Sequence, residues 1–111
     1  MAKQKETDIM NAIIEYLLWK KFYVWRSNNA PIFDITRKVF RAMPKHALTG
    51  VADIIGVLPD GRFLAIEVKA DENKKPTEAQ QEFLNNIMDR HGIAFVAYCL
   101  PDVEKYLSDY L

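Results

Sequence analysis

Residues 50–70, GVADIIGVLPDGRFLAIEVKA, constrain the fold more than any other stretch of the chain. Two apolar runs rich in β-branched residues flank Pro59–Gly61, a tight-turn sequence in which Gly61 is free to take a positive φ. The pattern predicts an antiparallel hairpin with strands over VADIIGVL and RFLAIEVK. Apolar strands of this kind belong at the centre of a sheet, yet they carry Asp53, Glu67 and Lys69. Strand interiors seldom accept ionisable side chains without a function.

The other elements are predicted from periodicity and turn residues. Residues 6–20 have apolar side chains at helical spacing, and FYVWRS at 22–27 is typical of a strand. Residues 28–46 contain two prolines and no lasting period, which predicts an irregular basic loop. TEAQQEFLNNIMDRH predicts a helix closed by Gly92, IAFVAYC predicts a buried strand, and Asp102 is expected to cap a last helix, VEKYLSDYL.

The predicted order is therefore α-β-β-β-α-β-α, with an α/β fold. The helix between the hairpin and the last strand makes a crossover, so the last strand should lie parallel to a hairpin strand in a mixed central sheet flanked by helices. A length of 111 residues predicts one domain, 1–111. The only cysteine, Cys99, excludes an internal disulfide and favours a reducing, cytoplasmic compartment. No apolar run approaches the ~20 residues of a membrane span, so no membrane partner is expected.

Charge is balanced along the whole chain but not locally. The sequence has 15 basic and 15 acidic residues, whereas residues 20–45 hold seven basic residues and one acid, a net +6. Such asymmetry favours a polyanionic partner for one face. An ordinary solvated surface explains it equally well.

The three ionisable hairpin residues suggest a reaction. Glu67 and Lys69 are two apart on a strand and point to the same side, and the hairpin brings Asp53 alongside. Two desolvated carboxylates coexist only with a cation between them or with one protonated. Mg²⁺ favours one or two carboxylates plus waters and a phosphate, and a lysine suits a phosphate oxygen or an attacking water. The pattern indicates metal-assisted phosphodiester hydrolysis. The alternative is an exposed hairpin face with a Glu67–Lys69 ion pair.

GVADIIG, GRFLAIEVKA, TEAQQEFLNNI and HGIAFVAY together resemble the VRR-NUC branch of the PD-(D/E)XK nucleases, from about Glu6 to about Ala97. The resemblance implies a restriction-endonuclease-like αβββαβ core and a Mg²⁺ or Mn²⁺ cofactor. It implies that Asp53, Glu67 and the Val68 carbonyl bind the metal, with Glu6, and that Lys69 is catalytic, assisted by Gln80. His91-Gly92 departs from the paired glycines of many family members, at a helix end.

Several of these residues have a second interpretation. Glu6 could be only a first-turn acid favoured by the helix dipole. Thr77 and Gln80 fit a capping box, T-x-x-Q, a role compatible with one at the site. Trp19 and Trp25 are expected in the core rather than as base-stacking platforms. His46 and His91 lack ligand spacing, so no zinc site is expected.

The resemblance favours a metal-dependent DNA endonuclease over a binding module that keeps the fold without turnover. Branched DNA, a homodimer and resolution of four-way (Holliday) junctions are predicted, with a nickase or flap-type nuclease as the alternative. A stand-alone domain of this type points to a bacterial or phage-infected cell. The residues predicted to contact DNA are Arg26, Asn28, Arg37, Lys38, Arg41 and Lys45.

Overall fold

The computed structural model describes residues 5–27, 33–40 and 44–111, and of Phe33, Asp34 and Phe40 only the backbone. The predicted element order is confirmed, with two additional short strands between the first strand and the central hairpin. The helices are α1 (Glu6–Trp19), α2 (Glu78–Asp89) and α3 (Leu100–Tyr106), followed by a 3₁₀ turn (Ser108–Tyr110). The strands are β1 (Tyr23–Arg26), β2 (Phe33–Asp34), β3 (Val39–Phe40), β4 (Ile54–Val57), β5 (Phe63–Val68) and β6 (Ile93–Ala97).

Four strands form the central sheet in the order β1-β4-β5-β6. Strands β1 and β4 pair antiparallel, as do β4 and β5, whereas β6 runs parallel to β5. The mixed sheet and the parallel last strand are as the sequence predicts. The hairpin turn is also confirmed, since Gly61 has φ +90° and its N–H donates to the Leu58 carbonyl at 2.8 Å.

Helices cover both faces of the sheet. On one face α1 and α3 pack Ile13, Leu17 and Val103 against Ile66 and other alternate sheet residues. On the other face Leu84 of α2 packs on Ala52, Ile55, Ala65 and Ala94. Burial of these apolar surfaces is the main stabilising contribution, about 25 cal/mol per Å² removed from water. The β4–β5 hairpin therefore lies inside the molecule, which excludes the exposed-hairpin alternative for Glu67.

Residues 28–46 differ in part from the irregular loop that the sequence predicts. Strands β2 and β3 pair antiparallel as a short separate hairpin, with Phe33 opposite Phe40. A strand pair only two residues long leaves no hydrophobic period to detect. Asn28 and Arg41 lie outside the described residues.

Two helix ends correct the sequence predictions. The residue in the left-handed conformation after α2 is His91, with φ +68°, whereas Gly92 donates its N–H to the Ile87 carbonyl at 2.9 Å. A Cβ on Gly92 would lie 2.5 Å from Ile87 Cγ2, so close packing is what requires glycine there. Helix α3 begins at Leu100, and Asp102 in its first turn accepts a hydrogen bond from the Tyr98 N–H at 2.8 Å.

The prediction that both tryptophans belong to the core is wrong. Trp19 is 74% exposed and Trp25 is 43% exposed. Trp19 lies on the side of α1 away from the sheet, and Trp25 lies on an edge strand beyond the reach of the described helices. No helix in the described ranges is long and apolar enough to cross a membrane.

Candidate active site

The β4–β5 register brings the two hairpin carboxylates together. Ile55 pairs with Ala65 in the antiparallel register. Asp53 lies two residues before Ile55 and Glu67 lies two residues after Ala65, so the two carboxylates are opposite each other on the same side of the sheet. The Asp53 carboxylate accepts a hydrogen bond from the Val68 N–H at 2.8 Å, and its backbone carbonyl accepts one from Ser27 at 2.8 Å. Asp53 is therefore held from both sides, its side chain by β5 and its backbone by the end of β1.

Glu67 is the one buried charged residue among those described, with 2% of its surface exposed. Its Oε2 atom is buried and has no hydrogen-bond partner. Desolvation, together with the nearby Asp53 carboxyl, raises the pKa of Glu67 from 4.5 to about 8. The charge of Lys69 lowers this pKa and that of Glu6 raises it further. At neutral pH the metal-free site therefore holds a proton on Glu67.

Lys69 and Gln80 complete a network around Glu67. Gln80 donates from Nε2 to Glu67 Oε1 at 3.2 Å, and its Oε1 accepts from the Lys69 ammonium at 3.2 Å. Lys69 Nζ lies 3.9 Å from Glu67 Oε1, and its side chain is 14% exposed. The Lys69 ammonium and the Thr77 N–H both donate to Gln80 Oε1, which determines the orientation of the amide. Glu67 thus keeps one oxygen held by Gln80 and the other unpaired.

Gln80 reaches this network while it caps α2. The Thr77 side chain accepts from the Gln80 N–H at 3.2 Å, and the Thr77 N–H donates to Gln80 Oε1 at 2.8 Å. The capping box and the role at the site coexist, as the sequence analysis allowed. One amide oxygen therefore joins the start of α2 to Lys69.

Gly50 holds the start of α2 close to the hairpin. Its φ is +77°, and a Cβ there would lie 2.5 Å from the Ala79 carbonyl carbon and 2.8 Å from the Gln80 nitrogen. Only glycine permits this approach and this backbone conformation together. No role for Gly50 was expected from the sequence, although a single glycine just before a predicted strand is a signal of close backbone approach.

The described residues include no cluster of three or more His, Cys, Asp or Glu side chains suited to a metal ion. Asp53 and Glu67 still fit Mg²⁺ or Mn²⁺, which bind proteins through one or two carboxylates and complete their shell with water and phosphate. The unpaired Oε2 of Glu67 is the oxygen such an ion would satisfy. The charge of Glu6 is near enough to raise the pKa of Glu67, and a role of Glu6 as a metal ligand stays a prediction.

The sequence matches no protein-family model and no curated protein. Similar solved structures include the following two. One, described as a "VRR_NUC domain protein", superposes with a TM-score of 0.70 at 21% identity over 98% of this chain and 89% of its own. The other, a "VRR_NUC domain", gives 0.66 at 22% identity over 96% and 97%.

The chain has the VRR-NUC fold. The agreement runs along nearly the whole chain. The resemblance in the sequence and the similarity in three dimensions therefore lead to the same fold. Within it, the β4–β5 hairpin lies at the centre of the sheet, and the start of α2 lies over its carboxylates.

The predicted DNA contacts are spread over the VRR-NUC fold. Arg26 ends β1 opposite Ile54, next to Asp53. Arg37 and Lys38 are exposed in the turn between β2 and β3, and Lys45 is exposed beyond that hairpin. Contacts between these residues and phosphates stay a prediction.

Proposed function

We propose that this chain is a metal-dependent, structure-selective DNA endonuclease that hydrolyses phosphodiester bonds. The observation that carries the proposal is Glu67, a buried carboxyl with one unpaired oxygen beside Asp53. A buried carboxyl with a strongly raised pKa is typical of a functional site. The VRR-NUC fold supports a nuclease as the class of enzyme.

Each residue has a role in this reaction. Asp53, Glu67 and the Val68 carbonyl would hold Mg²⁺ or Mn²⁺, which when bound polarises the phosphate and activates water. The Lys69 ammonium, held 3.2 Å from Gln80 Oε1, lies next to these carboxylates, where it can stabilise the charge that develops on the phosphate oxygens. Gln80 is a positioning residue, because it orients both Glu67 and Lys69.

Basic residues outside the site can bind a polyanion. Arg26, Lys38 and Lys45 are exposed and would contact DNA phosphates, together with Arg37, Asn28 and Arg41. Phosphate contacts position the duplex without reading its sequence. We therefore propose that the enzyme selects the shape of its substrate.

We further propose that two copies form a dimer that resolves four-way junctions. A four-way junction has two-fold symmetry and needs two matched cuts, and a C₂ dimer supplies two centres related by the same operator. Leu18 of α1, Tyr106 of α3 and Leu111 are exposed apolar residues. Helices α1 and α3 lie on the face of the sheet opposite the carboxylates. These side chains give a dimer an apolar surface away from the carboxylates. The competing functions are a monomeric nickase or flap nuclease, and a binding module without turnover.

Cleavage assays test the enzyme. We expect wild-type protein to cut branched DNA with Mg²⁺ or Mn²⁺ and not with EDTA. Asp53→Ala and Glu67→Ala should abolish cutting, and Lys69→Ala should come close to doing so. Wild-type turnover by Asp53→Ala would exclude this site, and an inactive wild type would favour the binding module.

Two further measurements test the dimer and its substrate. Light scattering at micromolar concentration should give about twice the chain mass of 12.9 kDa, and the chain mass alone would exclude the dimer. A four-way junction should receive paired symmetric cuts, with linear duplex of the same sequence cut far more slowly. Equal rates on both substrates would favour the nickase.

A further inference from the structure

Among the described residues, an aromatic surface is exposed on the sheet. In the strand register Tyr23 pairs with Val57, and Val57 pairs with Phe63, so these three form one row across β1, β4 and β5. Trp25 lies two residues from Tyr23 on the same face, and the two rings meet edge to face with centroids 5.4 Å apart. Tyr23 is 71% exposed, Trp25 43%, Phe63 39% and Val57 37%. We call these four side chains the aromatic surface.

The aromatic surface shares its face with the candidate active site. Trp25 pairs with Ile55, which packs with Ala65 under α2, and Glu67 is two residues beyond Ala65 on that side. Helix α2 covers the β5–β6 side of this face, and no other described helix covers the β1 side. The exposed rings and the carboxylates therefore lie on one continuous side of the sheet.

The spacing of the sheet relates the two areas. With ~3.4 Å per residue along a strand and ~4.8 Å between strands, Trp25 is about 12 Å from Glu67, and Phe63 and Tyr23 are about 14–17 Å away. Extended single-stranded nucleic acid can advance about 6 Å per nucleotide, roughly the spacing of alternate residues on a strand. The rings thus lie two to three nucleotides from a phosphate at Glu67.

Positive charge borders the aromatic surface. Lys21 lines a pocket of about 230 Å³ together with Tyr23, Val57 and Pro59. A polyanion with flat apolar bases matches this combination of exposed rings and a neighbouring lysine.

A second copy of the chain fits less well. The four side chains expose roughly 400 Å² together, if a whole aromatic side chain offers up to about 250 Å². That is about half of the ~800 Å² that each partner of a stable interface buries. Lys21 would also have to lose its hydration against another copy of the same basic border.

We propose that the aromatic surface stacks unpaired nucleobases of single-stranded nucleic acid that leads to the active site. Every base has a π-face, so stacking on Tyr23 and Trp25 accepts any sequence, as on the sheet surfaces that many single-strand binding domains use. Base stacking itself does not require turnover, whereas the distance to a scissile phosphate rests on the proposed nuclease function. The ligand is the unpaired strand found at a branch point, a gap or an end.

Tryptophan fluorescence tests the proposal. A Trp19→Phe variant leaves Trp25 as the one tryptophan of the chain, and an eight-nucleotide oligothymidylate serves as the probe in EDTA, where nothing is cut. We expect saturable quenching of Trp25 emission, with little quenching by a blunt duplex at the same phosphate concentration. Adding Tyr23→Ala should weaken oligothymidylate binding at least five-fold, the lower limit for loss of one stacked base.

A matched pair of variants separates the effect of removing Trp25 from the general effect of removing a tryptophan. Trp25→Ala should weaken binding at least five-fold, measured by anisotropy of a labelled oligothymidylate, whereas Trp19→Ala should change it less than two-fold. Equal affinities for the two variants, or no quenching, would overturn the proposal. Trp25 emission that shifts with protein concentration in the absence of DNA would instead show a second copy on this surface. A protein that binds the oligothymidylate but never cuts DNA would refute the nuclease and leave the stacking surface intact.

Discussion

Gln80 Nε2 lies 3.2 Å from Glu67 Oε1, so the amide that caps α2 also holds the buried carboxyl of the sheet. The contact joins the first turn of a helix to the C-terminal end of β5. Any change that moves the start of α2 therefore moves one oxygen of Glu67 and, through the same amide, Lys69. The predictions below use this coupling and the unusual burial of Glu67.

Replacing the two members of the capping box separates stability from positioning. Thr77→Ala removes only the cap, and we expect it to lower the free energy of unfolding by about 1 kcal/mol while cleavage falls less than three-fold. Gln80→Ala should cost similar stability but reduce kcat at least ten-fold, because Glu67 and Lys69 lose their common partner. Denaturant unfolding and single-turnover cleavage measure the two effects. Equal losses of kcat in both variants would mean that Gln80 acts only as a cap.

Glu67 makes the metal-free protein less stable as pH rises. Its pKa is raised from 4.5 to about 8 in the folded state, so the folded protein binds more protons than the unfolded chain in this range. The free energy of unfolding should fall by up to about 1.4 kcal/mol per pH unit between those values. Glu67→Gln should remove this slope and raise the Tm at pH 8 in EDTA. The exposed Glu104→Gln is the control, and an identical pH slope in both variants would contradict the burial argument.

Metal binding should displace the proton from Glu67. A metal ion requires the carboxylate form, so affinity for Mn²⁺ should rise by up to ten-fold per pH unit between pH 6 and 8, below the raised pKa of about 8. Calorimetry in two buffers of different ionisation enthalpy should detect about one proton released per ion near pH 6.5. Asp53→Asn should weaken binding strongly. An affinity independent of pH would show that Glu67 does not bind the metal.

Gly50 and Gly61 form a matched pair of left-handed glycines. Gly61→Ala, with φ +90° and no neighbouring atom within 4 Å of its Cβ, should cost about 1 kcal/mol of backbone strain. Gly50→Ala carries similar strain and also drives a Cβ to 2.5 Å from Ala79, so it should cost distinctly more and lower kcat by displacing Gln80. Thermal unfolding and cleavage rates test both. Equal effects of the two substitutions would show that the start of α2 can shift to accommodate a Cβ at Gly50.

The basic residues in and after the β2–β3 hairpin should bind DNA through its phosphates and not through its bases. The double change Lys38→Ala and Lys45→Ala should weaken DNA binding about equally for all sequences and reduce the slope of log K against log salt by roughly two. Lys105→Ala in α3, on the face of the sheet opposite the carboxylates, should leave the slope unchanged. An unaltered slope in the double variant would exclude these residues from the DNA interface.

The sequence alone determined the framework. The apolar runs around Pro59–Gly61 predicted the central hairpin, and period-two spacing placed Glu67 beside Lys69 and opposite Asp53. These features depend on neighbours along the chain or across one tight turn, where periodicity and turn chemistry are reliable. The T-x-x-Q capping box was predictable for the same reason.

Tertiary structure decided what the sequence left open or misjudged. The extent of Glu67 burial depends on α2 and on strands distant in sequence, and the second role of Gln80 depends on how closely Gly50 lets that helix approach. Trp25 resembles a core residue in its sequence context, but it lies at the sheet edge that α2 does not reach. Its neighbours along the chain do not specify which part of the sheet each helix covers. Packing between distant segments decides that coverage, and with it the exposure of the aromatic surface.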